Sequence, residues 1–218
     1  MTKGASGIAG DPHVQGSDGE FADFFGESGV YNVYSAGGMQ VNARLGLAVR
    51  EGSRMLWHPT VMKAGTLVQE AGVAIGETRL RLALHAGGLV SISDPSVATT
   101  FLTSAADQEL TIGGVKVQWT KVAETKAFPW GMHAYSQRLE LSTADDTVFL
   151  QVVESQGYRF IDINVEGVPS ASTGLLNVAM SAPVELRRQL TQQREVDFLV
   201  GAASGDLFAA QQMDGGLP

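Results

Sequence analysis

The side chains best suited to proton transfer or metal binding near neutral pH are the four histidines of this chain. They stand at His13, His58, His85 and His133, far apart in the sequence. Zinc-binding residues usually come in pairs a few positions apart, and no two of these histidines have that spacing. We therefore predict structural or solvated roles for them and no metal site.

Two groups of carboxylates are close enough in the sequence to act together. Asp145 and Asp146 are adjacent, and Glu20 and Asp23 flank an aromatic residue. A carboxylate pair can hold a cation, or divide acid and base roles when its surroundings separate the two pKa values. Adjacent aspartates are also ordinary turn residues, and Glu20 and Asp23 have no partner base beside them. We predict a structural turn role for Asp145-Asp146 and no catalytic role for Glu20 and Asp23.

Several kinds of catalysis need residues or motifs that the sequence lacks. There are no cysteines, which removes disulfides, zinc–thiolate sites, iron–sulfur clusters and thiol nucleophiles. Neither a Gly-x-Ser-x-Gly elbow nor a phosphate-binding loop with its lysine is present. Because no catalytic constellation is complete, we predict a protein that is not an enzyme and needs no cofactor.

Two loops carry paired aromatic residues, Trp57-His58-Pro59 and Phe128-Pro129-Trp130. Aromatic rings supply large contact areas, both in binding surfaces and in buried loop anchors. Trp57, Phe128 and Trp130 are therefore candidates for contacting a sugar or a protein partner, with buried anchoring as the alternative.

Composition limits the class of partner. The 218 residues include 44% hydrophobic and only 17% charged side chains, with a net charge of −8. Such a chain can bury a full core, and its negative charge argues against nucleic acid. No apolar run approaches the roughly 20 residues of a membrane helix. A sheet with so few charges has weakly protected edges, so we expect it to bind a protein partner or to self-associate.

Short runs of alternating apolar and polar residues predict the strands on which the candidate residues lie. Residues 39–49, 79–84, 135–141, 147–153 and 158–165 alternate apolar with polar side chains, as half-buried strands do. The stretch 110–119 predicts a hairpin around Gly113-Gly114, pairing Ile112 with Val115 and Leu110 with Val117. Frequent turn signals between short strands favour an antiparallel arrangement. We predict an all-β protein, an antiparallel β-sandwich.

One stretch has helical features. Residues 181–193 offer Ser181 as N-cap, Pro183 in the first turn, and Leu186 and Leu190 one turn apart. We predict one short C-terminal helix there. The predicted organisation is a disordered or extended arm over 1–8, a single β domain over 9–210 and a flexible tail over 211–218.

The glycine-rich opening, "GDPHVQGSDGEFADFFGESG" at 10–29, has the composition of a fold entrance. Asp11 and Asp18 can bond neighbouring amides in Asx turns, Gly19 and Gly26 can adopt positive φ, and Pro12 fixes the bend. We call the motif residues the fold-entrance motif: Gly10, Asp11, Pro12, His13, Asp18, Gly19, Phe24 and Gly26.

This motif resembles the start of the von Willebrand factor type D domain, and most of all its root-cap-like branch. The order continues with Val41-Asn42-Ala43, "LVQEAGVAIG" at 67–76, "GLL" at 174–176 and "VDFLVGAASGDLFA" at 197–210. The resemblance spans about residues 9–210 and implies an extracellular or matrix-type β domain.

The chain departs from that family at the positions of its disulfide cysteines and its calcium loop. Ser28 and Leu176 stand where disulfide-bearing members place cysteines. The segment matching the family's calcium loop has Asn177, with Glu185 well downstream, in place of several Asn and Asp ligands. We therefore predict a cysteine-free variant that holds neither disulfide nor calcium.

The resemblance also implies one reaction. In some type D domains the Asp-Pro bond cleaves itself, which makes Asp11 the candidate, with Pro12 after the scissile bond and His13 as helper. We expect the bond to stay intact, because turn formation already accounts for the motif. Intact-mass spectrometry after long incubation in mildly acidic buffer checks this. Release of a peptide ending at Asp11, abolished by Asp11→Asn, would contradict it.

Two hypotheses for the function remain open. One is a non-catalytic structural or interaction module, extracellular or matrix-type, as the resemblance implies. The other is an accessory subunit of a large organellar or cellular assembly that docks through a β surface. The N-terminus has no apolar signal region. We therefore expect an extracellular or organellar location if the chain is a processed mature form, and a cytoplasmic one otherwise.

Overall fold

The structure is a computed structural model. It describes residues 5–9, 13–15, 21–24, 28–36, 38–47, 49–50, 53–54, 66–85, 90–95, 99–102, 107–112, 115–128, 131–144, 146–155, 158–167, 172–176, 199–202 and 206–209. In chain order the strands are β1 (Ala5–Ala9), β2 (His13–Gln15), β3 (Phe21–Asp23), β4 (Gly29–Ala36), β5 (Met39–Leu47), β6 (Val49–Arg50), β7 (Ser53–Arg54), β8 (Thr66–Ile75), β9 (Thr78–Leu84), β10 (Val90–Asp94), β11 (Thr99–Leu102), β12 (Gln108–Ile112), β13 (Val115–Phe128), β14 (Gly131–Ser142), β15 (Thr147–Ser155), β16 (Tyr158–Glu166) and β17 (Leu199–Ala202).

Two antiparallel sheets pack together, which confirms the predicted all-β sandwich. Within the described ranges, the eight-stranded sheet has the order β12-β13-β14-β15-β16-β1-β2-β3 and the seven-stranded sheet the order β11-β10-β9-β8-β5-β4-β17. A separate hairpin joins β6 and β7. The eight-stranded sheet is two meanders joined where β1 pairs with β16.

The main core lies between the two sheets and follows the alternation of the sequence. In β5 the side chains of Met39, Val41, Ala43 and Leu45 are buried, as predicted. In the eight-stranded sheet, β15 and β16 contribute every second side chain to the same core. The predicted hairpin register is confirmed, because Ile112 pairs with Val115 and Leu110 with Val117.

A β-bulge in β14 decides which residues face the core. Leu139 pairs with Leu150 of the main core, whereas Tyr135 pairs with Val153, and the register shifts between Tyr135 and Gln137. Without the shift, Tyr135 and Leu139 would share one face. Because paired residues lie on the same face of a sheet, the bulge turns Tyr135 to the outward face.

The C-terminal part of the chain covers the outward face of the seven-stranded sheet through residues 206–209, here called the closing segment. Asn42 Nδ2 donates to the carbonyl oxygens of Leu207 (2.9 Å) and Ala209 (3.0 Å). Asn32 Nδ2 in turn donates to Asn42 Oδ1 at 2.9 Å. Asn42 was predicted to face outward, and it does, but the closing segment leaves it only 1% exposed.

The closing segment also needs a small residue beneath it. A Cβ added to Gly72 of β8 would lie 2.8 Å from Leu207 Cγ. Gly72 pairs with Asn42, so the closing segment packs on these two neighbouring residues. The structure thereby joins two stretches that carried the family resemblance, Val41-Asn42-Ala43 and 197–210.

Three further sequence predictions concern a helix, the N-terminal arm and Leu176. The predicted helix at 181–193 lies outside the described residues. The predicted arm over 1–8 includes most of β1, which pairs with β16 on one side and β2 on the other. Leu176, which stands where the resemblance to type D domains places a cysteine, is fully buried in the main core. None of the helical structure in the described part of the chain is long and apolar enough to cross a bilayer.

We expect the melting temperature to be the same with and without EDTA, and with and without reductant. Apolar packing between the two sheets is expected to supply the stability, because each fully buried large apolar side chain contributes roughly 1.5–3 kcal/mol before entropy. No cluster of three or more metal-ligating side chains occurs within the described ranges. Differential scanning calorimetry checks this. A clear drop with EDTA would mean that Asn177, Glu185 or the Asp145-Asp146 turn holds an ion.

Glu70 of β8 links two arginines on the outward face of the seven-stranded sheet. Arg44 Nε donates to its Oε2 at 2.9 Å, and Arg81 Nη2 donates to its Oε1 at 2.7 Å. Burial by itself would raise the pKa of Glu70. The hydrogen bonds from Arg81 and Arg44, with their positive charge, outweigh burial and hold that pKa below its ordinary value.

Because the folded pKa is lowered, Glu70 stabilises the fold above its unfolded pKa, and this contribution disappears as pH falls through the folded value. Glu70→Gln should therefore lower the free energy of unfolding at neutral pH by about 0.5–1 kcal/mol, as expected for a partly exposed ion pair. Urea unfolding at several pH values checks this, with Glu77→Gln in an exposed turn as control. A difference that persists unchanged in acid would contradict it.

Candidate functional site

The fold-entrance motif is described in part. His13 begins β2 and pairs with Ala9 and Asp23. Phe24 is buried in the main core, and its ring meets Tyr31 edge-on at 5.2 Å between centroids. Gly10, Asp11, Pro12, Asp18, Gly19 and Gly26 lie outside the described residues, between or after β1, β2 and β3.

Of the three candidate interaction aromatics, Phe128 is described and Trp57 and Trp130 are not. Phe128 ends β13 and is half-buried. Its ring centroid lies 4.5 Å from that of His133, and the Nζ atom of Lys126, two residues earlier in β13, lies 4.8 Å from the same ring centroid. Phe128 thus packs against His133 on one side and contacts a lysine as well.

The three histidines that the structure describes lie on or beside different strands. His13 lies on β2, and His85 follows β9 and is bonded through Nε2 to Ser91 Oγ at 2.7 Å. His133, on β14, is 2% exposed. His58 lies outside the described residues.

His133 belongs to a buried polar group that the sequence did not reveal. Its Nδ1 lies 3.2 Å from Asp162 Oδ2, and Tyr135 donates its hydroxyl hydrogen to the same oxygen at 2.9 Å. Asp162 is 1% exposed. One carboxylate oxygen therefore serves two side chains of β14 from its position on β16.

Aromatic and aliphatic side chains enclose this group on the outward face of the eight-stranded sheet. The ring of Phe160 meets His133 at 5.1 Å in an edge-on contact. A second core of Leu67, Tyr135, Val153, Tyr158 and Phe160 surrounds it. Burial, together with the negative charge of Asp162 and the hydrogen bond to it, raises the pKa of Tyr135 above its ordinary value.

A histidine hydrogen-bonded to a carboxylate supplies two of the three members of a Ser-His-Asp triad. A serine or threonine hydroxyl bonded to the histidine would complete it. Over the part of the chain that is described, no serine or threonine hydroxyl is hydrogen-bonded to His133. The hydroxyl of Tyr135 is engaged by Asp162. The group therefore resembles a satisfied buried network, which stabilises a particular packing arrangement.

Beside this group, a groove of about 610 Å³ runs over the outward face of the same sheet. Its side chains come from four consecutive strands. They are Glu124, Thr125 and Lys126 of β13, Tyr135 and Arg138 of β14, Phe149 and Gln151 of β15, and Asn164 and Glu166 of β16. The register explains this, because Arg138 pairs with Gln151 and Phe149 with Asn164.

Contacts between the groove side chains fix their positions. Arg138 Nη2 donates to Glu124 Oε2 at 2.9 Å, and the guanidinium lies 5.7 Å from the centre of the Phe149 ring. Gln151, only 8% exposed, accepts at Oε1 from Asn164 Nδ2 at 2.9 Å. With its amide turned over, its oxygen would accept from Arg138 Nη2 at 3.1 Å.

The charges of the groove balance. Lys126 and Arg138 are cationic, and Glu124 and Glu166 are anionic. The other polar groups, those of Gln151, Asn164, Thr125 and Tyr135, are neutral. The groove can therefore donate and accept many hydrogen bonds without a strong net field.

Sequence reasoning placed the candidate site elsewhere and missed Asp162, Gln151 and Arg138. One signal was present in "YRFIDINV" at 158–165, where Phe160 and Asp162 alternate with the core residues. A large aromatic residue on the outward face indicates that this face is covered. Compared with protein-family models and with curated proteins, the chain matches none.

Proposed function

We propose that this protein is a non-catalytic β-sandwich module that binds a partner through the groove on its eight-stranded sheet, either as a matrix-type protein or as an accessory subunit of an assembly. The order of motifs over residues 9–210, which resembles a type D domain, supports a structural or interaction role. The groove presents two basic, two acidic and several neutral polar side chains, groups that can fix the orientation of a ligand, which supports a binding role.

The observation that carries the proposal is that the groove residues are anchored on regular strands. The lining residues all belong to strands β13–β16, and ion pairs and hydrogen bonds already orient Arg138, Gln151 and Asn164. Binding sites on regular elements hold their geometry more closely than sites on loops. Side chains fixed before binding also lose little entropy when a partner arrives.

Site-specific photocrosslinking tests the proposal. A benzophenone side chain replaces the exposed Lys126, which pairs with His133 on the groove face, and a second protein carries it at the exposed Glu77, in the turn between β8 and β9. Both proteins are irradiated in extract of the source cells. We expect a distinct crosslinked species from position 126, identified by mass spectrometry, and not from position 77.

Arg138→Ala, introduced together with the probe at 126, should reduce that species about tenfold, because one oriented ionic hydrogen bond contributes about 1.5–3 kcal/mol. Circular dichroism establishes that the variant is folded. Equal crosslinking from both positions, or a yield indifferent to Arg138→Ala, would overturn the proposal. Light scattering on the purified protein distinguishes a foreign partner from a second copy of the chain.

A further inference from the structure

We infer that the groove binds a neutral oligosaccharide, an inference that rests on the proposed function. Charge balance is the first reason. Lys126 and Arg138 face Glu124 and Glu166, and Arg138 is already paired with Glu124. A polyanion or a strongly basic peptide would meet as much repulsion as attraction. The chain's net charge of −8 adds to the disadvantage of an anionic ligand.

Apolar ligands are disfavoured for a second reason. Phe149 supplies the largest apolar surface on the groove floor, but the Arg138 guanidinium lies over its ring at 5.7 Å. Tyr135 contributes a ring whose hydroxyl is turned to Asp162. A hydrophobic peptide or a lipid needs an apolar pocket for its anchoring side chains. The Arg138 guanidinium already lies over the Phe149 ring, on which such a ligand would otherwise pack.

Hydroxyl groups are the best match to what the groove offers. Each amide, on Gln151 and Asn164, can both donate and accept; carboxylates only accept and the guanidinium only donates. A sugar hydroxyl does both, so neighbouring hydroxyls can bond to an amide and to a charged group at once. Gln151 lines the groove between Arg138 and Asn164, its pairing partners on the neighbouring strands or next to them, so its amide stands where a ligand hydroxyl could meet it.

Size and shape agree with a short oligosaccharide. The groove volume of about 610 Å³ falls within the range of about 300–1,000 Å³ typical of small-ligand sites. The lining strands lie side by side, so a chain of sugars could follow the sheet surface across β14, β15 and β16. The OB-fold, another all-β architecture, also binds oligosaccharides on a sheet face with its adjoining loops.

Isothermal titration calorimetry with defined sugars tests the inference. The probes are neutral hexasaccharides of β-glucose, α-glucose, β-xylose and β-mannose. An oligogalacturonate and a sulfated heparin hexasaccharide serve as charged comparisons. We expect at least one neutral hexasaccharide to bind and both charged ones to bind at least tenfold more weakly. Preference for a charged probe, or no binding by any neutral one, would overturn the inference.

Variants localise the binding. Gln151→Ala should weaken it about tenfold, the effect of losing one or two oriented hydrogen bonds. Glu166→Gln, at an exposed position, should weaken it several-fold without risk to folding, and Glu77→Gln should leave it unchanged. Binding that survives both groove substitutions would overturn the inference. If sugars fail while photocrosslinking from position 126 still captures a protein, the inference fails and the proposed function stands.

Discussion

Replacing Asp162 by alanine is expected to lower the free energy of unfolding by about 3–5 kcal/mol. The substitution removes the acceptor shared by Tyr135 and His133, and both side chains are buried beneath aromatic rings. Each buried donor left without a partner costs about 1–3 kcal/mol. Urea unfolding followed by tryptophan fluorescence measures the loss.

Two further variants separate charge from hydrogen bonding. Asp162→Asn retains an oxygen for the Tyr135 hydroxyl and should cost less than Asp162→Ala. Glu154→Ala removes an exposed carboxylate from neighbouring β15 and should change stability by about 0.5 kcal/mol or less. If Asp162→Ala unfolds at the same urea concentration as Glu154→Ala, the buried network does not stabilise the fold.

Gly174→Ala is expected to have an effect of similar size, about 3–5 kcal/mol. Gly174 has a φ of +96°, and a Cβ there would lie 2.6 Å from Asn32 Oδ1 and 2.8 Å from the carbonyl oxygen of Val33. These neighbours are a buried side chain and the backbone of β4, so neither can move cheaply. The turn matters because Leu175 and Leu176 directly after it are buried in the main core.

Gly38→Ala is the matched control for this substitution. Gly38 has a φ of +81°, but a Cβ added there would have no atom within 4 Å. It therefore measures backbone strain alone, about 1 kcal/mol for a left-handed residue. The difference between the two variants isolates the steric cost at Gly174. Equal losses would show that the contact with β4 relaxes freely.

The strands and the main core were accessible from the sequence because burial on one face leaves a period of two. Met39, Val41 and Leu45 point inward as the alternation predicted. Alternation does not reveal what covers the other face, however. Asn42 and Asp162 both occupy outward positions and are both buried, one beneath the closing segment and the other within an aromatic cluster.

The candidate site was harder to predict because it depends on register. Arg138, Gln151 and Asn164 belong to three strands, and only their pairing brings them together. The bulge near Tyr135 adds a change of face that no run of residue types signals. The likeness to type D domains singled out Leu176 and the closing segment, and both have structural roles here.

The pairing of β1 with β16 has a consequence for how the protein is made. Ala5 pairs with Glu166, so β1 leaves the ribosome long before β16, one of its two neighbours, exists. At about 5–20 residues per second, that delay is on the order of 10 s. The closing segment is synthesised later still and bonds to Asn42 across 165 residues. The nascent chain must therefore keep its early apolar strands apart from other chains, and we expect newly made protein to depend on chaperones until translation is complete.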